Sequence, residues 1–281
     1  MILVADSGSS NTDWIIIENN KIISSFSTKG FNPYFTSSEK ISSDLKLEIP
    51  KDINIDTISK VYFYGSGCST TEMKNIVKTG LVNFFQNPAI EVYHDLIGAA
   101  RALFHNEIGI VVILGTGANT CFYNGNEITK NIPSLGYILG DEGGGDYLGK
   151  LFITELLYEN IPEIVSSNFY KQYKHSKSQI MQKVYKESHP NQFLASICKF
   201  IFEYRSNEFV NSIITKSFTD LFEKHITKYD DYQNQNIRIA GSVGYYFQDD
   251  LQKIAKEFNT KIDLFEKKPI NRLAQYHLKY K

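Results

Sequence analysis

Apolar residues come in short runs that end at small or acidic residues. Ile2–Ala5 is such a run and predicts a buried strand. Asp6 ends it, and Ser7, Gly8, Ser9, Ser10, Asn11 and Thr12 follow. Trp14–Ile17 then resume an apolar, largely β-branched run, so the segment predicts strand, tight turn, strand. Ile15–Ile17, Asn19-Asn20 and Lys21–Phe26 read as a second hairpin. Ser37–Ile49 predicts a helix closed by Pro50, and Val61–Tyr64 a strand ending at Gly65-Ser66-Gly67. Thr71–Gln86 predicts a helix stopped before Pro88. Glu91–Tyr93 is a short strand, after which His94-Asp95 opens a helix through Phe104. Ile110–Leu114 is a buried strand ending at Gly115-Thr116-Gly117. This alternation predicts a parallel α/β core, with ligands gathered at the carboxyl ends of its strands.

Between about Gly145 and Lys228 the pattern is mostly helical, with Pro162 and Pro190 marking helix starts. Tyr229–Asn236 is a polar loop. Ile237–Ala240 predicts a strand, Gly241-Ser242-Val243-Gly244 a turn into a helix to Phe258, and Ile262–Phe265 a last strand. Pro269 begins a terminal helix to about Tyr280. One repeat stands out. Gly8–Ile22 resembles Gly117–Ile128: each runs Gly, small residues, Asn-Thr, an apolar run, Asn, a charged residue and Ile, behind an apolar strand.

Composition narrows the classes. The 281 residues suffice for one large or two medium domains, and 42% are hydrophobic, enough for a sizeable core. Lys plus Arg total 30 against 31 for Asp plus Glu, which gives no reason to expect nucleic acid as a partner. Cys68, Cys121 and Cys198 are far apart and form no CxxC pair, so they are expected as reduced thiols, not a zinc ribbon or disulfide framework. No stretch approaches the roughly 20 apolar residues of a membrane span. No basic leader and no helix-turn-helix precede the first strand, so the expectation is a soluble cytoplasmic protein.

The opening turn carries the chemistry. Small residues let main-chain N–H groups approach an oxyanion, hydroxyls add donors, and the Asp6 carboxylate can hold Mg²⁺ directly or through water. It is not a Walker loop, because no GK[ST] follows and the next element is a strand. A plain hairpin is the alternative reading, since these residues favour turns anyway. Asp95 and the Asp141-Glu142 pair likewise read either as functional carboxylates or as helix N-caps.

Five segments each follow an apolar strand: Asp6–Thr12, Gly65–Cys68, His94-Asp95, Gly115–Thr120 and Gly241–Gly244. In that order they resemble the sugar kinase–actin–Hsp70 superfamily, and within it the N-acetylglucosamine kinase branch that includes BadF/BadG-type ATPases. The resemblance covers nearly the whole chain. It implies a two-lobed ribonuclease H-like fold with a nucleotide cleft between the lobes. One lobe would be residues 1–113 plus 266–281, the other 114–265. It implies ATP and Mg²⁺, with Asp6 as the metal's carboxylate. Asp6, Ser7, Gly8, Ser10, Asn11 and Thr12 match the first phosphate hairpin, Gly115, Thr116 and Gly117 the second, and Gly241 and Ser242 the adenosine segment. Lys29-Gly30-Phe31-Asn32-Pro33 looks like the family's GxNP loop and Gly136–Gly145 like its GDEGS segment. These imply sugar contacts at Asn32, Gly65, Ser66, Gly117, Gly136, Tyr137, Asp141 and Glu142. Asp95 falls at the family's catalytic base, taking the proton of the sugar 6-hydroxyl, while His94 reads as scaffolding.

The chain departs from the family at Ala118, where Ser is common, at Gly144-Gly145-Asp146 after the GDEG, and at Asn271-Arg272. The implied activity is phosphorylation of an amino sugar, N-acetylglucosamine first, by a homodimer whose surface the aromatic-rich helices supply. N-acetylmannosamine, glucosamine and N-acetylmuramic acid stay open as substrates. The competing readings are a BadF-type activase, a type III pantothenate kinase and a sugar-sensing regulator.

Overall fold

The computed structural model describes residues 1–280, and they divide into two compact units. One unit is Met1–Glu107, Asn124–Ile128 and the chain from Lys268 on; the other is Ile108–Tyr123 and Thr129–Lys267. In chain order the strands are β1 (Ile2–Ser7), β2 (Asn11–Glu18), β3 (Lys21–Lys29), β4 (Lys60–Gly65), β5 (Ala89–His94), β6 (Gly109–Leu114), β7 (Ala118–Tyr123), β8 (Ile128–Ile132), β9 (Ile237–Ala240) and β10 (Ile262–Glu266). The helices are α1 (Ser38–Glu48), α2 (Thr71–Phe85), α3 (Asp95–Phe104), α4 (Gly136–Leu139), α5 (Gly145–Leu157), α6 (Glu163–Tyr173), α7 (Lys177–Tyr185), α8 (Pro190–Ser196), α9 (Cys198–Glu203), α10 (Glu208–Lys224), α11 (Ser242–Tyr246), α12 (Gln248–Glu257) and α13 (Ile270–Tyr280).

The strands form two mixed sheets. The first has the order β3-β2-β1-β4-β5, with β1 antiparallel to β2 and parallel to β4. The second has the order β8-β7-β6-β9-β10, with β6 antiparallel to β7 and parallel to β9. Each unit therefore begins with a hairpin and adds parallel strands beyond its first strand. The antiparallel pairs β1–β2, β2–β3 and β6–β7 are the expected hairpins, and the parallel pairs are the expected α/β core.

The two sheets share one topology, and this underlies the sequence repeat. Their turns differ in register. Ser7 and Thr12 close the first hairpin, whereas Leu114 and Ala118 close the second. The Asn119-Thr120 pair thus lies two residues further from its turn than Asn11-Thr12. An offset of two keeps side chains on the same face, and Thr12 and Thr120 are both fully buried.

The continuous apolar character of β1 and β2 follows from burial on both faces. Leu3, Ala5, Trp14 and Ile16 enter one apolar cluster with residues of α1 and α2. Val4, Ile15 and Ile17 enter another with Ile270, Leu273 and Ala274 of α13. Successive residues point to opposite faces, so the terminal helix covers what α1 and α2 leave open. Trp14 stacks on Phe26 at 5.7 Å, and its ring N–H donates to Thr28 Oγ1 at 2.9 Å. In the second unit, Ile110, Val112 and Leu114 of β6 join Leu148 and Phe152 of α5 and the inner faces of α10 and α12 in one cluster. The helix expected from Gly244 to Phe258 breaks at Phe247, which packs edge-on against Phe202 and Phe218. No described helix is long and apolar enough to cross a membrane.

Candidate active site

In the first unit four segments meet at the carboxyl ends of β1, β4 and β5. Gly8 N–H donates to Asn11 O at 2.9 Å across the β1–β2 turn, and Gly30 N–H donates to Ser10 O at 3.0 Å, drawing the Lys29–Pro33 loop onto it. Ser66 N–H donates to Ser7 O at 2.8 Å, so the turn after β4 joins them. Asn32 is thereby brought to the site: its amide lies 3.3 Å from Ser9 Oγ, and Ser9 Oγ is 3.5 Å from Ser66 Oγ. Gly65 pairs with His94, which carries Asp95 to the same edge.

Ser7 and Thr12, expected as phosphate donors, are spent on the protein itself. Both are fully buried; their hydroxyls lie 2.8 Å apart, Thr12 donates to Lys29 O at 2.8 Å, and Ser7 accepts from Phe31 N–H at 3.0 Å. A hydroxyl without exposure braces the turn and is closed to a ligand. Gly8, Ser10 and Asn11 form its exposed rim.

Asp95 does not cap its helix. His94 is the N-cap of α3, its Nδ1 accepting Leu96 N–H at 3.1 Å, which leaves the Asp95 carboxylate for other work. His94 Nδ1 also lies 2.9 Å from Asp95 Oδ1, and when the ring is protonated it donates there instead of accepting from Leu96 N–H. Burial opposes the charged imidazole, but the Asp95 hydrogen bond and charge outweigh it, and the His94 pKa is raised. Asp6 keeps partial exposure, yet its pKa is pushed up to about 7 by desolvation and by the charges of Asp95 and Asp13. Asp13 stands opposite Asp6 across the hairpin, a like-charge pairing that would destabilise it unaided. Lys268, 3.1 Å from Asp13, offsets part of that charge. Among the described residues no three His, Cys, Asp or Glu side chains cage a metal. The donor set fits an ion held by one or two carboxylates plus ligand oxygens and water, as Mg²⁺ is bound.

In the second unit the β6–β7 turn, the segment from Ser134 to Asp146 and the start of α11 lie together. Gly115 N–H donates to Gly117 O at 3.0 Å, and the first N–H groups of α5 clamp onto the turn: Gly145 to Gly115 O at 2.9 Å, Asp146 to Thr116 O at 2.8 Å. A Cβ at Gly117 would stand 2.6 Å from Asp141 Oδ2, so any side chain there would push that carboxylate from its place. Asp141 is 7% exposed, with positive φ; its Oδ1 accepts from Ser134 Oγ at 2.5 Å and lies 3.4 Å from Ala118 N. Gly241 has φ +114°, and a Cβ there would press on Leu114, so this turn too demands glycine at the mouth of β9. Ser242 is exposed beside it.

Neither Asp141 nor Glu142 caps α5: Gly144 holds that position without any side-chain bond. Glu142, 4% exposed, is held from a distance in sequence. Lys224 Nζ donates to Oε1 at 2.8 Å, and His225 Nε2 is 3.2 Å from Oε2. Desolvation pushes the Glu142 pKa up, but these partners bring the net shift below the usual value. The structure therefore gives both Glu142 oxygens to Lys224 and His225, and leaves Asp141 nearer the Gly117 turn. Gly136 and Tyr137, half-buried, form the short α4 alongside; Tyr137 O accepts from Lys150 Nζ at 2.9 Å. Ser134, Lys224 and His225 were missed in the sequence, for they lie outside any motif and only packing assigns them.

No protein-family model and no curated protein matches the chain. Solved structures do. A protein of Porphyromonas gingivalis named as a candidate N-acetylglucosamine kinase is 35% identical over 100% of this chain and 99% of its own, with a TM-score of 0.95. A Chromobacterium violaceum protein so named is 13% identical over 98% of each chain, TM-score 0.73. A ROK family glucokinase from Streptomyces griseus, solved with glucose and AMPPNP, is 11% identical over 98% and 97%, TM-score 0.56. At such low identities the last two speak for fold alone. Identity of 35% along the full length, on two hairpin-led sheets with their turns in family order, is decisive: the chain belongs to the N-acetylglucosamine kinase and BadF/BadG-type ATPase branch of the sugar kinase–actin–Hsp70 superfamily.

Proposed function

We propose that the protein transfers the γ-phosphoryl group of ATP to an amino sugar, N-acetylglucosamine at its 6-hydroxyl, with Asp95 as the base. The observation that carries this reading is the full-length likeness to a candidate N-acetylglucosamine kinase. That neither Asp95 nor Asp141 caps a helix supports it. The turns Gly8–Asn11 and Gly115–Gly117 hold the phosphates through main-chain N–H groups, and Gly241 and Ser242 admit the nucleoside. Asn32 and Asp141 hold sugar hydroxyls, the carboxylate accepting charge-assisted hydrogen bonds. Asp95 takes the hydroxyl proton as the oxygen attacks. The transition state is loose, so aligning that oxygen counts for more than strong basicity. Asp6 would hold Mg²⁺, which would supply neutralisation of phosphate charge; the crowding of Asp6 by Asp95 and Asp13 is the feature that suits a divalent ion.

An activase that binds an iron–sulfur cluster finds little support. Cys68 and Cys121 are buried, and the half-buried Cys198 donates its thiol to Gly145 O. The test is ADP release over a panel of N-acetylglucosamine, N-acetylmannosamine, glucosamine and N-acetylmuramic acid. Turnover is expected first with N-acetylglucosamine. ATP binding without turnover of any amino sugar overturns the kinase reading.

A further inference from the structure

Asp146 stands where the GDEG segment leaves the family pattern, and its surroundings are unusual for a carboxyl group. It is 1% exposed, and neither carboxyl oxygen makes a well-formed hydrogen bond to a donor. In the first turn of α5 the N–H groups of Gly145 and Asp146 are spent on Gly115 O and Thr116 O, and Tyr147 N–H gives the carboxyl group only minor support. The charged and titratable groups around it do not pair with it either. Lys150, one turn further along α5, donates to Tyr137 O; Glu142 is taken by Lys224 and His225; Cys198, from α9, donates to Gly145 O. On α10, Asp220 accepts from Tyr147 and Lys216. What remains is Asp141, itself 7% exposed and fixed by Ser134.

A buried carboxylate with no well-formed hydrogen bond is costly, and a second one beside it more so. The protein resolves this by keeping a proton. We propose that Asp146 is a proton-bearing positioning residue: its neutral carboxyl faces Asp141, leaves Asp141 as the single negative charge at the Gly117 turn, and holds it aimed at a ligand hydroxyl. The direction of titration agrees. Burial first, and then the charge and hydrogen bond of Asp141, push the Asp146 pKa up to about 9. When the proton leaves to solvent at alkaline pH, two negative charges face each other and Asp141 loses its fixed aim. The ligand part of this inference rests on the sugar-kinase reading; the proton does not.

Two readouts separate them. Infrared spectra of the protein without ligands at pH 8, where Asp6 is largely ionised, should show a protonated carboxyl C=O band that is lost in Asp146→Asn. In Asp141→Asn, which removes the facing charge, the band should titrate away at lower pH than in wild type. Absence of the band in wild type at pH 8, or its survival in Asp146→Asn, overturns the proton, whether or not any sugar is a substrate. In turnover, Asp146→Leu should raise the sugar KM about tenfold with kcat retained. Asp146→Asn, which keeps a donor, should restore KM and remove its rise above about pH 9. A KM unchanged in Asp146→Leu, or an alkaline rise that persists in Asp146→Asn, overturns the positioning role.

Discussion

The two hairpins share a topology and differ in charge. Asp6 and Asp13 face each other one pair before the first turn closes. The matching pair of the second hairpin is Ile113 and Asn119, so that hairpin carries no acid of its own. Its carboxylates, Asp141 and Asp146, arrive from the loop and helix that follow, and they are nearly sealed from water. One hairpin thus holds two acids, with Asp95 of α3 beside them, at a partly open edge that suits a cation and proton abstraction. The other offers backbone and a single fixed carboxylate and suits neutral hydroxyls and phosphate oxygens. Repetition supplied the scaffold; the placement of acid divided the labour.

The comparison breaks most readily at the first hairpin. Asp95→Asn should lower kcat about 100- to 10,000-fold while sugar KM changes little, read in steady-state turnover. A near-normal rate would reduce Asp95 to a partner of His94. Asp6→Asn should raise the Mg²⁺ concentration needed for half-maximal rate by up to about 100-fold. The same variant should gain stability without ligands. Because the folded-state pKa of Asp6, about 7, exceeds its ordinary value, the native state holds a proton the unfolded chain has released, and stability falls as pH rises between about 4 and 7. Asp6→Asn should flatten that slope and raise Tm by a few degrees at pH 8, measured by calorimetry.

At the second hairpin the effect moves from kcat to KM. Asp141→Asn should raise sugar KM about 10-fold or more, the scale of one charge-assisted hydrogen bond, with a smaller change in kcat. A kcat loss as large as that of Asp95→Asn would erase the division between the hairpins. The smallest effect is expected at Thr12. Thr12→Val removes its donor to Lys29 O and should cost about 1–2 kcal/mol, seen as a Tm lowered by several degrees. A raised ATP KM without loss of Tm would mean that the hydroxyl serves phosphate after all.

Much of the scaffold could be read from apolar runs ending in small residues, because strands buried on both faces, such as Trp14–Ile17, have no polar face to blur them. Strand direction could be read only where a short turn forces a hairpin, since a run of Ile and Val is otherwise the same whichever neighbour it pairs with. Of the candidate site, the turns after β1 and β6 could be placed, because small residues at the end of an apolar run are a local signal; the contact of Asp141 with Gly117 could not. The site was illegible where burial decides. Ser7 and Thr12 look like phosphate donors until their exposure is known. Asp95 looks like a cap until His94 takes that role. Asp146 looked like a mere departure from the motif until its carboxyl proved buried and without a well-formed hydrogen bond.

The central claim is transfer of phosphate to a sugar hydroxyl, and identifying the product tests it most directly. With ATP, Mg²⁺ and N-acetylglucosamine, phosphorus–proton correlation NMR should show one sugar product, phosphorylated at O6 and formed in step with ADP, and none from the 6-deoxy sugar. ADP formed at the same rate with the 6-deoxy sugar, or with no sugar, and no phosphorylated sugar in the mixture, would contradict it.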